Sequence, residues 1–509
     1  MGPFSLIPRR LGALLILVVS ALLAAQAAEA RARTRRSRSS PARAVAAAPQ
    51  PKSLAEALAQ AAERPPTRAN NLSIEIANLD NGEPVFQRNP DSPETIASVT
   101  KLFTTASALY YLGPDYKFKT TFWRRGEIKD GTLDGALLVV GGGDPNISGR
   151  FYNDDYNAVF DRWASGLKAL QVSRVTGDLV LNDSFFDSVA RNPEWPAGQE
   201  QKWYQAPVSA LAYNDGVVLV GIRPGPRPGR PVAITIEPAS GTLRTVSNAR
   251  TVGRRGRVAV AVARVPGSNA VRVSGTVPAR DVWWSTPIAV DDSVAFFGGA
   301  LKNRLKAAGI EVTGQVVVKD VKPDTSWALV AQTESALVPT LEVINKRSQG
   351  FYAEQTFKTL AAEKAGKGTW PNAISLEKQF LAALNLDPSR FDLHDGSGLS
   401  PNNRVAAGDV VRFLRAMNES PHGAIWKTTL ATGGDPESTL RHRLRDPVTL
   451  GRVQAKTGSI HGVSTLAGYA TGMSGKTYAF AILLNGGRVY DAAGHAYQDR
   501  LLRALIKNG

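Results

Sequence analysis

At residues 97–104 the chain reads Ala-Ser-Val-Thr-Lys-Leu-Phe-Thr, and this segment is predicted to begin a helix. Side chains three residues apart share one face of a helix, so the Ser98 hydroxyl is expected beside the Lys101 amine. A serine hydroxyl becomes a good nucleophile when a neighbouring base removes its proton. Lys101 can serve as that base only when neutral, which near pH 7 requires burial or a nearby cation to lower its pKa by about 3 units. The motif alone is weak, because residues 165–168 and 375–378 show the same Ser-x-x-Lys spacing.

A second short motif lies near the end of the chain, where residues 456–458 read Lys-Thr-Gly on a predicted strand. The edge of a strand offers backbone N–H and C=O groups to an extended peptide. Lys456 would add a positive charge for a substrate carboxylate, and Gly458 would let a ligand approach the backbone closely. The alternative for an isolated match is a turn at the end of a strand with an exposed lysine.

The two motifs together indicate a specific chemistry, because Ser-x-x-K at a helix start with K-T-G on a late strand is typical of serine acyl-enzymes. Three further blocks accompany them: Gly-Gly-Gly-Asp-Pro at 141–145, Asp-Ser-Phe-Phe-Asp at 183–187 and Asp-Gly-Ser-Gly-Leu-Ser at 395–400. With these residues the chain resembles the class C low-molecular-mass penicillin-binding proteins, the D-alanyl-D-alanine carboxypeptidase/endopeptidase family. The resemblance extends from about residue 55 to 505.

The resemblance implies a set of catalytic roles. Ser98 would attack the carbonyl between two D-alanines and Lys101 would take its proton. Ser348, near Lys456, would relay a proton to the leaving amine. The implied substrates are peptidoglycan stem peptides, and β-lactams would acylate the same serine. The resemblance implies no metal and no organic cofactor.

Three residues are expected to bind substrate. Thr457 and Gly458 belong to the K-T-G strand, and Asp144 belongs to the Gly-rich block of the inserted part. The resemblance implies that Asp144 meets the amine end of the stem peptide. A loop aspartate that caps a turn is the alternative.

One motif departs from the family's pattern. The family carries Ser-x-Asn in a helical segment, whereas residues 348–350 read Ser-Gln-Gly. The resemblance implies that the missing amide holds a substrate carbonyl, so its loss is expected to lower the catalytic rate. A literal Ser-x-Asn also occurs at residues 400–402, after a Gly-rich turn. The alternative function is therefore a catalytically impaired peptidoglycan-binding protein of the same fold.

The pattern of helices and strands predicts an α+β fold, in which an antiparallel sheet is covered by helices as in penicillin-binding and β-lactamase proteins. Strands at 452–456, 464–470 and 477–484 lie between N- and C-terminal helices, and residues 340–362 are predicted to be helical. The Ser-x-x-Lys motif at residues 98–101 and the Lys-Thr-Gly motif at residues 456–458 lie on either side of a β-rich stretch. We therefore expect residues 53–115 and 288–509 to form the catalytic domain, with residues 116–287 inserted.

The N-terminus indicates export. Residues 1–30 have the charged start, apolar core and small-residue cleavage sites of a signal peptide, with an uncleaved membrane anchor as the alternative. Residues 31–52 carry seven basic side chains and no acidic one, which predicts a disordered linker. The expected location is the periplasm, with at most peripheral membrane contact.

Composition excludes several classes of protein. The linker carries +7 of the net charge of +17 and has no interleaved aromatic residues, so nucleic-acid binding is not expected. The chain has no cysteine, which excludes thiolate nucleophiles, disulfides and cysteine zinc sites. No two of its five histidines have the spacing of an H-E-x-x-H metalloprotease.

Overall fold

The computed structural model describes residues 53–68, 71–265, 268–486 and 491–509. The predicted signal peptide, residues 1–30, and the predicted linker, residues 31–52, lie outside these ranges. Within them, no helix has both the length and the apolar character needed to span a bilayer.

The N-terminal part contributes two helices and three strands. They are α1 (Leu54–Ala61), β1 (Leu72–Asn78), β2 (Pro84–Arg88), β3 (Pro93–Thr95) and α2 (Lys101–Leu112). A short 3-10 turn at Ala97–Thr100 leads directly into α2. A turn at residues 79–81 joins β1 to β2, which pair as antiparallel strands.

The inserted part is mostly β-structure. Its elements are β4 (Lys117–Lys129), β5 (Thr132–Val140), α3 (Ala158–Ala169), β6 (Arg174–Val175), β7 (Leu179–Asn182), β8 (Val217–Arg223), β9 (Ala233–Glu237), β10 (Arg244–Ser247), β11 (Arg250–Val252), β12 (Ala259–Arg264), β13 (Ala270–Pro278), β14 (Trp284–Ala289), α4 (Ser293–Ala307), β15 (Glu311–Val312), β16 (Val316–Val318) and β17 (Ala328–Ala336). They form sheets of seven, three and four strands.

The C-terminal part returns to longer elements. These are α5 (Leu337–Lys346), α6 (Gly350–Ala365), α7 (Trp370–Ala383), β18 (Phe391–Asp392), β19 (Arg404–Ala406), α8 (Ala407–Glu419), α9 (Gly423–Thr428), β20 (Ala431–Thr432), β21 (Val453–Ile460), β22 (Val463–Thr471), β23 (Thr477–Asn485) and α10 (Asp491–Asn508).

A six-stranded antiparallel sheet organises the N- and C-terminal parts outside the insertion, in the order β2-β1-β23-β22-β21-β20. In β23 the side chains of residues 478, 480, 482 and 484 pack with α1 and α10. The alternate residues 479, 481 and 483 pack with α2 and α8 on the other face. Because helices cover both faces, β23 is apolar along nearly its whole length, which is why its sequence reads TYAFAILLN.

The end of the insertion differs from the prediction. Strands β15 to β17 pair with β6, β7 and β4, so they belong to the seven-stranded sheet of the inserted part. Helix α4 packs into the same apolar core. The insertion therefore ends near residue 336 rather than 287. The segment enters and leaves through neighbouring strands, because Lys117 of β4 lies opposite Ala336 of β17.

The helix predicted over residues 340–362 is two helices. Helix α5 ends at Lys346 and α6 begins at Gly350, and Ser348 between them has a φ of 58°. A left-handed residue cannot continue a right-handed helix. The break turns the Ser348 side chain toward β21, where its hydrogen-bond partner Lys456 lies.

Candidate active site

Ser98 lies in the 3-10 turn that precedes α2, and Lys101 is the first residue of that helix. The Lys101 Nζ lies 2.9 Å from the Ser98 Oγ. Ser98 remains partly exposed, whereas Lys101 is buried. The predicted pair is thus in place, with the hydroxyl open to a ligand and the amine behind it. The preceding residue, Ala97, has a φ of 46°, so the backbone turns sharply just before Ser98.

Burial changes the chemistry of Lys101. It lowers the pKa of the amine from 10.5 to about 8, against the opposing effect of the carboxylates of Asp395 and Glu354. The amine also donates a hydrogen bond to the carbonyl oxygen of Ser397. A neutral fraction of the lysine is then available near pH 7, so that the amine can accept a proton from Ser98.

Ser348 and Lys456 form a second pair of the same kind. The Lys456 Nζ donates to the Ser348 Oγ at 2.8 Å and to the carbonyl oxygen of Thr457 at 2.7 Å. The Lys456 side chain is buried, and its pKa lies well below the ordinary value because of burial and the positive charge of Lys101. The two lysines are close enough to influence one another, so both pairs share one site.

The literal Ser-x-Asn at residues 400–402 does not take this position. The Ser400 Oγ accepts the backbone N–H of Asn402, and the Asn402 amide donates to Glu194. Lys456 is bonded to Ser348 instead. The geometry therefore favours Ser348 as the middle hydroxyl of the site, as the sequence motif suggested.

Thr457 and Gly458 differ in what they contact. Thr457 lines the cleft and its hydroxyl is bonded to that of Thr439 at 2.9 Å. A Cβ on Gly458 would point into the protein, 2.7 Å from the carbonyl oxygen of Ile96 and 3.0 Å from the Ser98 nitrogen. The glycine is required because β21 passes close beneath the turn that carries Ser98. The predicted reason, close approach of a ligand, does not describe this contact.

Asp144 does not line the cleft and is almost completely buried. Its carboxylate accepts the hydroxyl of Ser335 at 2.6 Å and the backbone N–H of Asn146 at 2.9 Å. Burial raises its pKa to about 6. The prediction that Asp144 meets the substrate is therefore wrong for this geometry, and the alternative, an aspartate that caps a turn, describes it.

A network behind Lys101 was not assigned a role from the sequence. The Glu354 carboxylate, on α6, accepts the backbone N–H groups of Gly396 and Ser397 and the indole N–H of Trp370. It thereby fixes the turn whose Ser397 carbonyl oxygen holds Lys101. Ser397 lies in the block at residues 395–400 that supports the family resemblance, but no local pattern in the sequence reveals its contact with Glu354.

The cleft that contains both pairs has a volume of about 840 Å³. Its floor includes Ser98, Ser348 and Thr457, and a loop of the inserted part supplies a wall with Trp203 and Tyr204. Gly350 and Ser397 lie side by side in the lining. Across the described ranges, no group of three or more histidine and carboxylate side chains is placed to hold a metal ion.

Comparison with known proteins places this geometry in context. The model of the D-Ala-D-Ala carboxypeptidase 3 (S13) family matches residues 54–507. A D-alanyl-D-alanine carboxypeptidase of Actinomadura sp. (strain R39) is 31% identical over 451 residues, which cover 85% of this chain and 81% of that protein.

Two solved structures show the fold. The crystal structure of penicillin binding protein 4 (dacB) from Haemophilus influenzae matches with a TM-score of 0.76 at 24% identity, over 88% of this chain and 99% of that one. The same Haemophilus protein in complex with a β-lactam matches with a TM-score of 0.72 at 23% identity, over 89% and 99% of the two chains. The predicted fold class, an antiparallel sheet covered by helices with a β-rich insertion, is confirmed.

Proposed function

The chain belongs to the D-Ala-D-Ala carboxypeptidase 3 (S13) family and is a serine-type hydrolase, and from this membership we propose that it cleaves D-alanyl-D-alanine bonds of peptidoglycan stem peptides through an acyl-enzyme on Ser98. We propose that it also cleaves cross-links in which the bond involves a D-centre, and this activity would make it an endopeptidase as well. One observation carries the proposal: two lysine–hydroxyl pairs, Ser98–Lys101 and Ser348–Lys456, face one cleft.

The first half of the reaction forms the acyl-enzyme. Ser98 Oγ attacks the carbonyl carbon between the two D-alanines, and Lys101 takes the hydroxyl proton. The C–N bond then breaks, and the hydroxyl of Ser348, held 2.8 Å from the Lys456 amine, passes a proton to the leaving nitrogen. The proton that Lys101 took replaces it through Lys456, so that both lysines and Ser348 return to their starting state. In the second half, Lys101 takes a proton from the water that attacks the ester carbonyl and gives it to Ser98 Oγ as the shortened peptide leaves.

The negative charge that develops on the carbonyl oxygen needs hydrogen-bond donors that are already in place. We assign this role to the backbone N–H of Ser98 and to an N–H of β21. Support comes from the position of both segments, since Ser98 lines the same cleft as Thr457 and Ser459 of β21. A substrate carbonyl in the cleft beside Ser98 would meet a donor from each segment.

The substrate would bind as an added strand. Strand β20 pairs with β21 only at residues 454 and 455. Within the described part of the chain, no strand pairs with residues 456–460 on that side, which leaves a free edge beside Ser98. An extended peptide can hydrogen-bond to such an edge through its backbone.

β-Lactams are proposed to acylate the same serine, because their strained amide would present its carbonyl to Ser98 as a D-alanyl-D-alanine bond does. The Haemophilus structure with a bound β-lactam is consistent with this.

The N-terminal sequence supports export to the periplasm, where peptidoglycan is found. N-terminal sequencing of protein recovered from the periplasmic fraction would test export, and a chain that retains residues 1–30 in the cytoplasm would contradict it.

A second candidate function is a peptidoglycan-binding protein that has lost most of its activity, which the absence of an amide at Gly350 favours. Incubation of the purified chain with a peptide ending in D-alanyl-D-alanine separates the two. The proposed function predicts catalytic release of free D-alanine. Binding of the peptide without D-alanine release would support the second candidate and contradict the first.

A further inference from the structure

One buried hydroxyl beside the cleft, that of Ser397, has no hydrogen-bond partner within the described residues. Ser397 is only 3% exposed, yet its Oγ contacts no donor or acceptor within the described residues. The residue nevertheless belongs to the lining of the cleft. Buried polar side chains in native proteins are nearly always hydrogen-bonded, so an unpaired one at a binding surface points to a partner supplied by a ligand.

The rest of Ser397 is held firmly in place. Its backbone N–H donates to the Glu354 carboxylate at 2.7 Å, and its carbonyl oxygen accepts a hydrogen bond from Lys101. Because both backbone groups are bonded, the side chain has a fixed starting position beside the Ser98–Lys101 pair. The backbone of Ser397 is therefore preorganised, and only the rotation of its side chain has to be fixed when a ligand binds.

The neighbouring residue leaves room for a ligand. A Cβ on Gly350 would lie 3.5 Å from the Ser397 Cβ and 3.9 Å from its Oγ, at ordinary contact distance. Glycine has no side chain to fill that space. The Ser397 Oγ itself has almost no accessible surface, so it meets a ligand when its side chain rotates toward the cleft that Ser397, Gly350 and Ser98 line.

We propose that Ser397 is a substrate-binding residue whose hydroxyl donates a hydrogen bond to a backbone carbonyl oxygen of the stem peptide while Ser98 attacks. The inference rests on the proposed function and adds a residue to its site. The hydroxyl gains its partner only in the complex. Removal of the hydroxyl therefore weakens the binding of the substrate and of the transition state. The free protein loses no hydrogen bond.

The variant Ser397→Ala tests this directly. We expect kcat/KM for a D-alanyl-D-alanine peptide, and the second-order rate of acylation by a penicillin, to fall about 10- to 100-fold. The melting temperature should not fall, because no hydrogen bond of the free protein is lost. The matched control is Ser400→Ala, in the same turn, whose hydroxyl accepts a bond from Asn402 and does not line the cleft; its rates should stay close to those of the parent chain.

Rescue distinguishes a contact with substrate from a structural effect. Gly350→Asn places an amide in the space beside Ser397, so it should recover part of the rate lost in Ser397→Ala. Should Ser397→Ala fail to fold, Ser397→Cys keeps the shape, replaces the hydroxyl by a weak donor and should slow acylation similarly.

Several results would overturn the inference. Unchanged rates in Ser397→Ala or Ser397→Cys would do so, as would slower acylation accompanied by a lower melting temperature and no rescue by Gly350→Asn. These outcomes are separate from failure of the proposed function, in which the parent chain itself would neither release D-alanine nor react with a penicillin.

Discussion

At the scale of single residues, the chemistry depends on where the two lysines lie. Both amines are buried, and each is bonded to one hydroxyl of the cleft. Burial disfavours the charged form of an amine, and the positive charge of Lys101 adds to this effect at Lys456. Burial therefore keeps a fraction of Lys101 neutral, and the neutral amine is the proposed base.

The pH dependence of acylation follows from this environment. Protonated Lys101 cannot accept the Ser98 proton, and its pKa of about 8 leaves only about a tenth of the amine neutral at pH 7. We expect the second-order acylation rate to rise nearly tenfold from pH 6 to 7 and to level off above about pH 8. A stopped-flow pH profile with a penicillin checks this. A rate still rising steeply at pH 10 would show that burial does not lower the pKa.

The residue types of the site could be predicted from the sequence, but their surroundings could not. The three-residue spacing of Ser98 and Lys101 dictates that they meet on one helix face. The burial of Lys101 depends on Glu354 and Ser397, which are more than 250 residues away along the chain. The Asp144 prediction failed for the same reason, since a Gly-rich loop does not reveal whether its carboxylate faces solvent or the core.

At the scale of elements, the site is made where a helix start, a helix break and a strand edge meet. The strands and most helices could be predicted from their hydrophobic periodicity and turn residues. The interruption at residues 347–349 could not, because Ser348 has its left-handed φ where it bonds to Lys456, a residue 108 positions farther along the chain. The hydrophobic periodicity of the sequence continues through residues 347–349, so residues 340–362 have a pattern that is typical of one helix.

Gly458→Ala tests the contact between β21 and the turn that carries Ser98. The new Cβ would lie 2.7 Å from the Ile96 carbonyl oxygen, so the strand and the turn must separate. We expect a loss of about 1–3 kcal/mol in the free energy of unfolding and at least a tenfold slower acylation. Denaturant titration and penicillin kinetics measure the two effects. Gly253→Ala, where a Cβ meets nothing within 4 Å, is the control; equal behaviour of the two variants would contradict the account.

At the scale of the whole molecule, the inserted part forms a wall of the cleft and supports the catalytic turn. The indole N–H of Trp195 donates to Asp395 at 3.0 Å, and Asp395 accepts the backbone N–H groups of residues 398–400. The end of the insertion was not predictable from local sequence, because β15 to β17 join it through pairings with strands more than 130 residues earlier. Such distant pairings leave no periodic signal.

Trp195→Phe tests the link between the inserted part and the active site. The substitution keeps an aromatic ring but removes the donor to Asp395, which should lower the free energy of unfolding by about 1 kcal/mol. Because Asp395 orders the turn next to Ser397, kcat/KM should fall about threefold or more. Steady-state kinetics and thermal unfolding measure these changes. Trp283→Phe, at an exposed tryptophan of the same part, should leave both unchanged, and a similar effect there would show that the link is not specific.

The proposed mechanism depends above all on Ser98 as the residue that carries the acyl group. The most direct measurement is to react the purified chain with a penicillin, digest it and locate the added mass on a peptide. We expect one modified serine, Ser98, with labelling lost in Ser98→Ala and retained in Ser165→Ala, which removes the serine of an unrelated Ser-x-x-Lys on helix α3. Label on a peptide containing Ser165 or Ser375, or labelling that persists in Ser98→Ala, would contradict it.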